Sequence, residues 1–137
     1  MPDTAIPEDV QLLLRERLPS HEQLELLLLM HADPAREWSI EEFSEKLKIS
    51  PILAEEAVQH LAAAQLIELW RLPNNELRCR GPLESCRTLI DRLAAVYEQS
   101  RFELVMQMSA NAIERIRTGA VRAFADAFRI KRKNDDG

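Results

Sequence analysis

The side chains in this sequence that could carry out catalysis are few and scattered. The three histidines, His21, His31 and His60, fall in different predicted helices. The chain has no His-Glu-x-x-His pair, no glycine-rich phosphate loop and no Gly-x-Ser-x-Gly turn. Each of these patterns brings the reacting groups of a known enzyme class together. Without any of them, the sequence indicates no catalytic site. We therefore expect no enzymatic activity and no cofactor.

Cys79 and Cys86 are the other residues that could bind a metal or take part in redox chemistry. Their separation is longer than in a short zinc knuckle, and the chain has no second cysteine pair. Free cysteine is among the most buried residue types in proteins. We therefore interpret both as reduced thiols that pack a β-hairpin against the helix that follows it, and we predict no metal site.

Arginine is the residue type through which this chain could hold phosphate groups. Residues 1–66 carry 5 basic and 13 acidic side chains, whereas residues 67–137 carry 13 basic and 10 acidic ones. A polyanion would therefore meet the second half, although the net charge of −5 argues against a generic nucleic-acid binder. Within that half, the basic segment interrupted only by Asp126 either holds phosphates or forms a solvated helix end. The segment comprises Arg115, Arg117, Arg122, Arg129, Lys131, Arg132 and Lys133.

Two helices separated by a tight turn are predicted from Ser39 to Gln65. Ser39 and Glu42 form a Ser-x-x-Glu capping box, which starts the first helix. The Ser50-Pro51 pair starts the second, because a hydroxyl cap precedes a proline at the first helical position. A strand over residues 66–72, a turn over residues 73–75 and a return strand over residues 76–80 follow. The pattern predicts a helix-turn-helix with a β-hairpin.

This region resembles the bacterial winged helix-turn-helix domains of the multiple-antibiotic-resistance-regulator (MarR) type. The resemblance rests on residues 38–43, residues 47–50, the Val58 and Leu61 pair, and residues 66–69. The whole chain also resembles small bacterial proteins of unassigned function that share this domain and a helical C-terminal tail like residues 108–115. The resemblance implies a mainly α fold with a two-stranded β-wing, and DNA binding by a transcriptional regulator through the second helix.

The presumed recognition helix carries an unusual set of outward residues for that function. The resemblance implies that Ile52, Glu55, Gln59 and His60 face the DNA groove, while three arginines near the wing hold phosphates, namely Arg71, Arg78 and Arg80. Glutamate can accept a hydrogen bond from cytosine, but the adjacent Glu55 and Glu56 would repel the phosphate backbone. Two further readings stay open: a surface for a basic protein partner without direct DNA contact, or plain solubility.

Long helices are predicted after Gly81-Pro82. The helix from Phe102 to about Ile130 has apolar residues spaced by three, four and seven, a stripe too long to be buried on one small domain. We therefore expect a homodimer through this helix. The predicted dimerisation residues are Met106, Ile113, Ile116, Ala120, Phe124 and Phe128.

The predicted organisation has four parts: an arm and short helix at 1–19, the winged helix-turn-helix domain at 20–81, the dimerisation segment at 82–130 and a polar tail at 131–137. No signal peptide is visible, and the apolar run Leu26–Met30 is too short to cross a bilayer, which takes about twenty residues. We expect a cytoplasmic protein with no membrane contact. Its partner is expected to be double-stranded DNA or a basic protein.

Overall fold

Six α-helices and three short strands make up the part of the chain that the computed structural model describes, namely the backbone of residues 6–135 and the side chains of residues 6–127. The helices are α1 (Glu8–Glu16), α2 (His21–Ala32), α3 (Ile40–Leu47), α4 (Pro51–Ala63), α5 (Arg87–Gln99) and α6 (Arg101–Asp135). The strands are β1 (Trp38–Ser39), β2 (Glu68–Arg71) and β3 (Leu77–Arg80). A short 3₁₀ turn, Glu84–Cys86, precedes α5.

The predicted starts of α3 and α4 are confirmed by the hydrogen bonds of their capping residues. Ser39 Oγ accepts the Glu42 backbone N–H at 3.2 Å, and Glu42 Oε1 accepts the Ser39 backbone N–H at 2.9 Å. Ser50 Oγ accepts the Leu53 N–H at 3.2 Å, with Pro51 as the first residue of α4. The bond from the Ser39 N–H, followed by the nearby Arg36 guanidinium, lowers the pKa of Glu42 below its ordinary value. These local bonds set the start of each helix of the helix-turn-helix.

Ser20 and Gln23 have the residue types and spacing of a capping box at the start of α2, but only half of the box forms. Ser20 Oγ accepts the Gln23 backbone N–H at 3.2 Å. The Gln23 side-chain oxygen, in contrast, is buried without a hydrogen-bond partner among the described residues. The spacing of Ser20 and Gln23 therefore identifies the N-cap of α2. Whether the Gln23 side chain also bonds back to the backbone of Ser20 depends on where that side chain packs.

The end of α4 shows how the chain manages without the glycine that often ends such a helix. Gln65 adopts a left-handed conformation with φ of 62°, which costs a residue with a Cβ more than it costs glycine. The Arg17 guanidinium, which follows α1, donates to the Ala64 carbonyl at 2.7 Å and contacts the Gln65 carbonyl at 3.4 Å. A side chain from 47 residues away in sequence thus satisfies carbonyls at the helix end.

The strands form one antiparallel sheet in the order β1-β3-β2. The β2–β3 hairpin, called the wing from here on, is the predicted one, with Leu69 opposite Cys79 and Glu68 opposite Arg80. The short β1 adds a third strand, because Trp38 pairs with Cys79. Trp38 is buried and its ring stacks on Phe43 of α3, with 5.0 Å between the ring centroids. The sheet is thereby joined to the helix-turn-helix.

One face of α4 is buried in the core. Ala57, Val58 and Leu61 are buried in one hydrophobic cluster with Leu27 and Phe43, while Leu28 and Leu47 pack against its edge. Gly81 lies just after the wing at a point of close approach, since a Cβ there would come within 2.7 Å of the Ile67 side chain. The helix-turn-helix, the wing and the start of α5 therefore share one core.

The two C-terminal helices are separate. Ser100 leaves the helical conformation, with φ of −142° and ψ of 46°, so the chain bends between α5 and α6. The first part of α6 belongs to the core, because Leu104, Met108 and Asn111 are buried, and α6 contacts both α1 and α5. From residue 113 to residue 127 every side chain is exposed. None of the helices within residues 6–135 combines the length and hydropathy needed to cross a membrane.

Candidate nucleic-acid interface

Helix α4 presents one side to solvent along its whole length. Ile52, Glu55 and Gln59 lie on adjacent turns of this side, and all three are exposed. The Gln59 amide donates to Glu55 Oε2 at 3.3 Å, so these two polar side chains are in contact. The start of α4 is also strongly apolar for a surface, since Ile52 is 73% exposed and Leu53 is 47% exposed.

A cleft lies between the start of α4 and the wing, and we call it the α4–wing cleft. Charged side chains of both signs line it, together with Pro51. These side chains are Glu41, Glu55, Arg71, Glu76 and Arg78. The structure therefore brings the predicted Glu55, Arg71 and Arg78 together at one place, which a long ligand could enter from the α4 side or from the wing.

The other predicted contact residues lie elsewhere. Glu56 and His60 line a shallow depression beside Gln23 at the start of α2, which Leu53 also lines. Arg80 lies at the base of the wing, opposite Glu68. Glu55 and Glu56 therefore line different depressions on the two flanks of the exposed face of α4, and of the two only Glu55 lines the cleft beside the wing.

Each wing arginine already has a partner within the chain. Arg71 Nη1 donates to the Asn75 carbonyl at 2.9 Å. Arg78 pairs with Glu76 at 3.2 Å, and Arg80 pairs with Glu68 at 3.1 Å. Sequence reasoning missed these acidic partners. The pairing of the two predicted strands could have identified Glu68, because it places Glu68 directly across from Arg80.

This surface carries more acidic than basic side chains. Residues 39–80, which span the helix-turn-helix and the wing, carry 5 basic and 7 acidic side chains. The paired arginines are partly exposed, with Arg80 at 40% and Arg78 at 26% of their side-chain surface. Exposed ion pairs of this kind are worth about 0–1 kcal/mol, so a phosphate could displace the glutamate at small cost.

The basic residues of α6 divide into two groups. The Arg115 guanidinium donates to the carbonyls of Arg15 at 3.3 Å and Pro19 at 3.1 Å, and so closes the end of α1. Arg117 lies 4.0 Å from Glu114, and Arg122 is exposed. Arg115 thus has a structural role that its position in a basic segment does not reveal. The side chains of Arg129, Lys131, Arg132 and Lys133 lie outside the described residues.

The cysteines and histidines form no catalytic or metal-binding constellation in the described part of the chain. Cys79 and Cys86 are buried free thiols, and burial raises the pKa of the Cys79 thiol to about 12. His31 Nε2 lies 2.6 Å from Asp91 Oδ1, which joins α2 to α5, and His21 lies 3.3 Å from Glu25 on its own helix. No three potential metal ligands cluster among the described residues.

Comparison with known proteins identifies the fold. Neither a family model nor a curated protein sequence matches this chain. Solved structures do match. One is a homodimeric winged helix-turn-helix DNA-binding domain of Mycobacterium bovis, a possible ArsR-family transcriptional regulator, with a TM-score of 0.53 and 18% identity over 67% of this chain and 82% of that one. Another is MepR, a transcription regulator of the Staphylococcus aureus multidrug efflux pump MepA, with a TM-score of 0.51 and 14% identity over 87% of this chain and 90% of that one.

A third match is a mutant of ZitR from Lactococcus lactis, with a TM-score of 0.50 and 21% identity over 80% of this chain and 75% of that one. A mutant of MepR has also been solved bound to an oligodeoxyribonucleotide. At these identities the likeness establishes the fold and no more. The fold of this chain is a winged helix-turn-helix, as its sequence resemblance implied.

Proposed function

We propose that this protein is a winged-helix transcriptional regulator that binds double-stranded DNA as a homodimer. The observation that carries the proposal is the placement of α4 and the wing on one open surface, with the α4–wing cleft between them. A duplex could place its major groove over α4 and a phosphate strand over the wing at the same time. The solved winged-helix structures support this use of the fold, since one of them is bound to an oligodeoxyribonucleotide.

In this proposal the wing supplies affinity and α4 supplies a weak preference for sequence. Arg71 and Arg78 reach phosphates from the cleft, once Arg78 exchanges Glu76 for a phosphate oxygen. On α4, Gln59 can pair with adenine, Glu55 can accept from the cytosine amino group, and Ile52 can contact a thymine methyl group. Arg80 can reach a phosphate only by leaving Glu68.

A homodimer is part of the proposal because one copy offers few cationic contacts. Of the three wing arginines of a single chain, Arg78 and Arg80 are paired with acidic neighbours. Two tethered copies bind the second half-site at a high effective concentration, which raises the overall affinity without new contacts. The exposed apolar face of α6 is the surface through which we expect the two copies to join.

A second candidate function is a protein-interaction module that does not touch DNA. The observation in its favour is the start of α4, where the exposed Ile52 and Leu53 lie beside the acidic Glu55 and Glu56. An apolar centre with an acidic rim suits a basic amphipathic segment of another protein. On this alternative Arg78 stays paired with Glu76 and Arg80 stays paired with Glu68.

The two candidates predict opposite outcomes for the same four substitutions. For a DNA-binding protein, Arg78→Ala with Arg80→Ala should weaken binding to random duplex and flatten its salt dependence by about one unit of slope per lost phosphate contact. Glu55→Gln with Glu56→Gln should strengthen that binding, because a repulsion is removed. The measurement is fluorescence anisotropy of a labelled duplex over a series of salt concentrations.

For the interaction module, the glutamate changes should abolish the complex with a basic partner and the arginine changes should leave it intact. A chain that fails to bind duplex DNA even at low salt would exclude the DNA-binding proposal. If neither pair of substitutions alters binding to DNA or to protein, neither candidate describes this surface.

The ion pairs of the wing allow a second test of phosphate contact. Glu68→Gln with Glu76→Gln should release Arg80 and Arg78 and strengthen duplex binding, by up to about fivefold for each arginine because exposed pairs are worth about 0–1 kcal/mol. The same glutamate changes made together with Arg78→Ala and Arg80→Ala should have a much smaller effect. Equal gains in both backgrounds would show that the glutamates act through net charge alone and not by holding the arginines.

A further inference from the structure

Helix α6 has two apolar faces on opposite sides. The inner face consists of Leu104, Met108 and Asn111, which are buried within the chain's own fold. One turn further on, Arg115 is fastened to the end of α1 by its two carbonyl contacts. These four positions follow one another by four, three and four residues, so they form one line along the helix. Along this line α6 is buried against the body or hydrogen-bonded to it, and near its start Arg101 also lies over the Tyr97 ring of α5.

The outer face carries a second line, which we call the outer stripe. Its seven positions are separated by four and three residues in strict alternation, and all are exposed. They are Phe102, Met106, Ser109, Ile113, Ile116, Ala120 and Ala123. At 100° per residue this line lies about 140° around the helix from the inner face. The outer stripe is exposed in the single chain, although Phe102 and Met106 border a cleft that Ile6 and Gln11 also line.

The spacing indicates what kind of surface covers it. A strict alternation of four and three is the seam of a coiled coil, where each side chain enters a hole on a second helix. A helix that lies on a lipid surface has a broader apolar face than this seam. Ile113 and Ile116, which are 58% and 72% exposed, are the centre of the stripe. The stripe has the width of a seam for one further helix, and two other exposed apolar side chains of α6, Val121 and Phe124, lie outside it.

We propose that the outer stripe packs against the same stripe of a second copy, with the two α6 helices antiparallel and the two-fold axis between Ser109 and Ile113. This rests on the proposed function in that both require a homodimer through α6. In this register Phe102 lies opposite Ala120 of the second copy, and Met106 lies opposite its Ile116. Large side chains thereby face small or medium ones along the whole seam, as close packing of a core requires.

Size and charge both favour the antiparallel orientation over the parallel one. Parallel helices in register would place Phe102 against its own copy at one end and Ala120 against its own copy at the other, so one layer would be crowded and another hollow. The antiparallel register also brings the exposed Glu103 beside Arg117 of the second copy, a pair of opposite charges at the edge of the seam. Arg117 is available, because its contact with Glu114 is long at 4.0 Å.

Disulfide cross-linking of the full-length chain tests the orientation directly. Phe102 and Ala120 are eighteen residues apart on one straight helix, about 27 Å at 1.5 Å per residue, so two cysteines there cannot join within one chain. The double variant Phe102→Cys with Ala120→Cys should run largely as a covalent dimer after mild oxidation. Neither single variant should do so alone, but an equal mixture of the two should. The native chain, with Cys79 and Cys86 buried, and the exposed off-stripe variant Ala125→Cys are the controls.

Each other outcome overturns the proposal in a distinguishable way. Efficient cross-linking of a single variant would show parallel helices. A dimeric mass by light scattering without any of these cross-links would reject this register and leave the homodimer of the proposed function standing. A monomeric mass would reject both the register and the homodimer. A monomer that sediments with vesicles of phosphatidylserine and phosphatidylcholine would assign the stripe to lipid. DNA binding is measured separately, so its failure is not confused with any of these results.

Discussion

Replacing Leu61 with alanine should lower the free energy of unfolding by about 2–5 kcal/mol, the range observed when a buried leucine is truncated. Leu61 is fully buried on the inner side of α4, in the same cluster as Leu27 and Phe43. Truncation removes apolar contacts and leaves a cavity that α2 and α3 cannot both close, since each is fixed at its start by a serine cap. Denaturant unfolding followed by circular dichroism measures the change.

The control for this experiment lies on the same helix. Ile52→Ala removes a comparable volume from a side chain that is mostly exposed, so its effect on stability should stay within about 0.5 kcal/mol. A loss well under 1 kcal/mol for Leu61→Ala would mean that α4 presents a different face to the core. The contrast between the two variants separates burial from any general effect of shortening a side chain in α4.

Introducing lysine at Ile113 and Ile116 together should convert a dimer into a monomer. Both side chains are exposed in the single chain, so the fold tolerates the charges, but in the dimer the two lysines of each copy would be buried in the α6 seam, opposite Ser109 and Met106 of the second copy. Light scattering should then give half the mass of the native protein. Affinity for duplex DNA should fall by about a hundredfold or more, because the second half-site is no longer tethered.

The matched control carries the same added charge on the other side of the helix. Thr118→Lys with Ala125→Lys places two lysines at exposed positions away from the outer stripe, and the mass should not change. A dimeric mass for the variant with lysine at both Ile113 and Ile116 would contradict the proposed α6 interface. Point substitutions are preferable to removing α6 after Ser100, since truncation would also strip Leu104 and Met108 from the core.

The sequence by itself determined the features that depend on neighbouring residues. The starts of α3 and α4 follow from Ser39, Glu42 and Ser50, because a cap forms between residues three positions apart. The inner face of α4 and the alternation of the wing follow from helical and strand periodicity, as the burial of Leu61 and Cys79 shows. The winged helix-turn-helix fold was therefore predictable, and the solved structures confirm it.

The candidate site was predictable only in its parts. Glu55, Arg71 and Arg78 could each be named from position and charge, but their meeting in one cleft depends on how the hairpin folds back beside α4. Glu56 and His60 looked equivalent to Glu55 in sequence, but they line a separate depression beside the start of α2. A difference of one residue rotates a helical side chain by about 100°, and only the packed neighbours show which side faces the wing.

Tertiary structure alone decided the contacts between residues that are distant in the chain. Arg17 closes the end of α4 and Arg115 closes the end of α1, although each is one unremarkable arginine among many in the sequence. The short β1 exists because the path after α2 returns beside β3. Likewise α6 shows an apolar period along its length, but only the positions of α1 and α5 divide it into a buried inner face and an exposed outer stripe. Such contacts depend on the path of the backbone, which no local pattern of residues records.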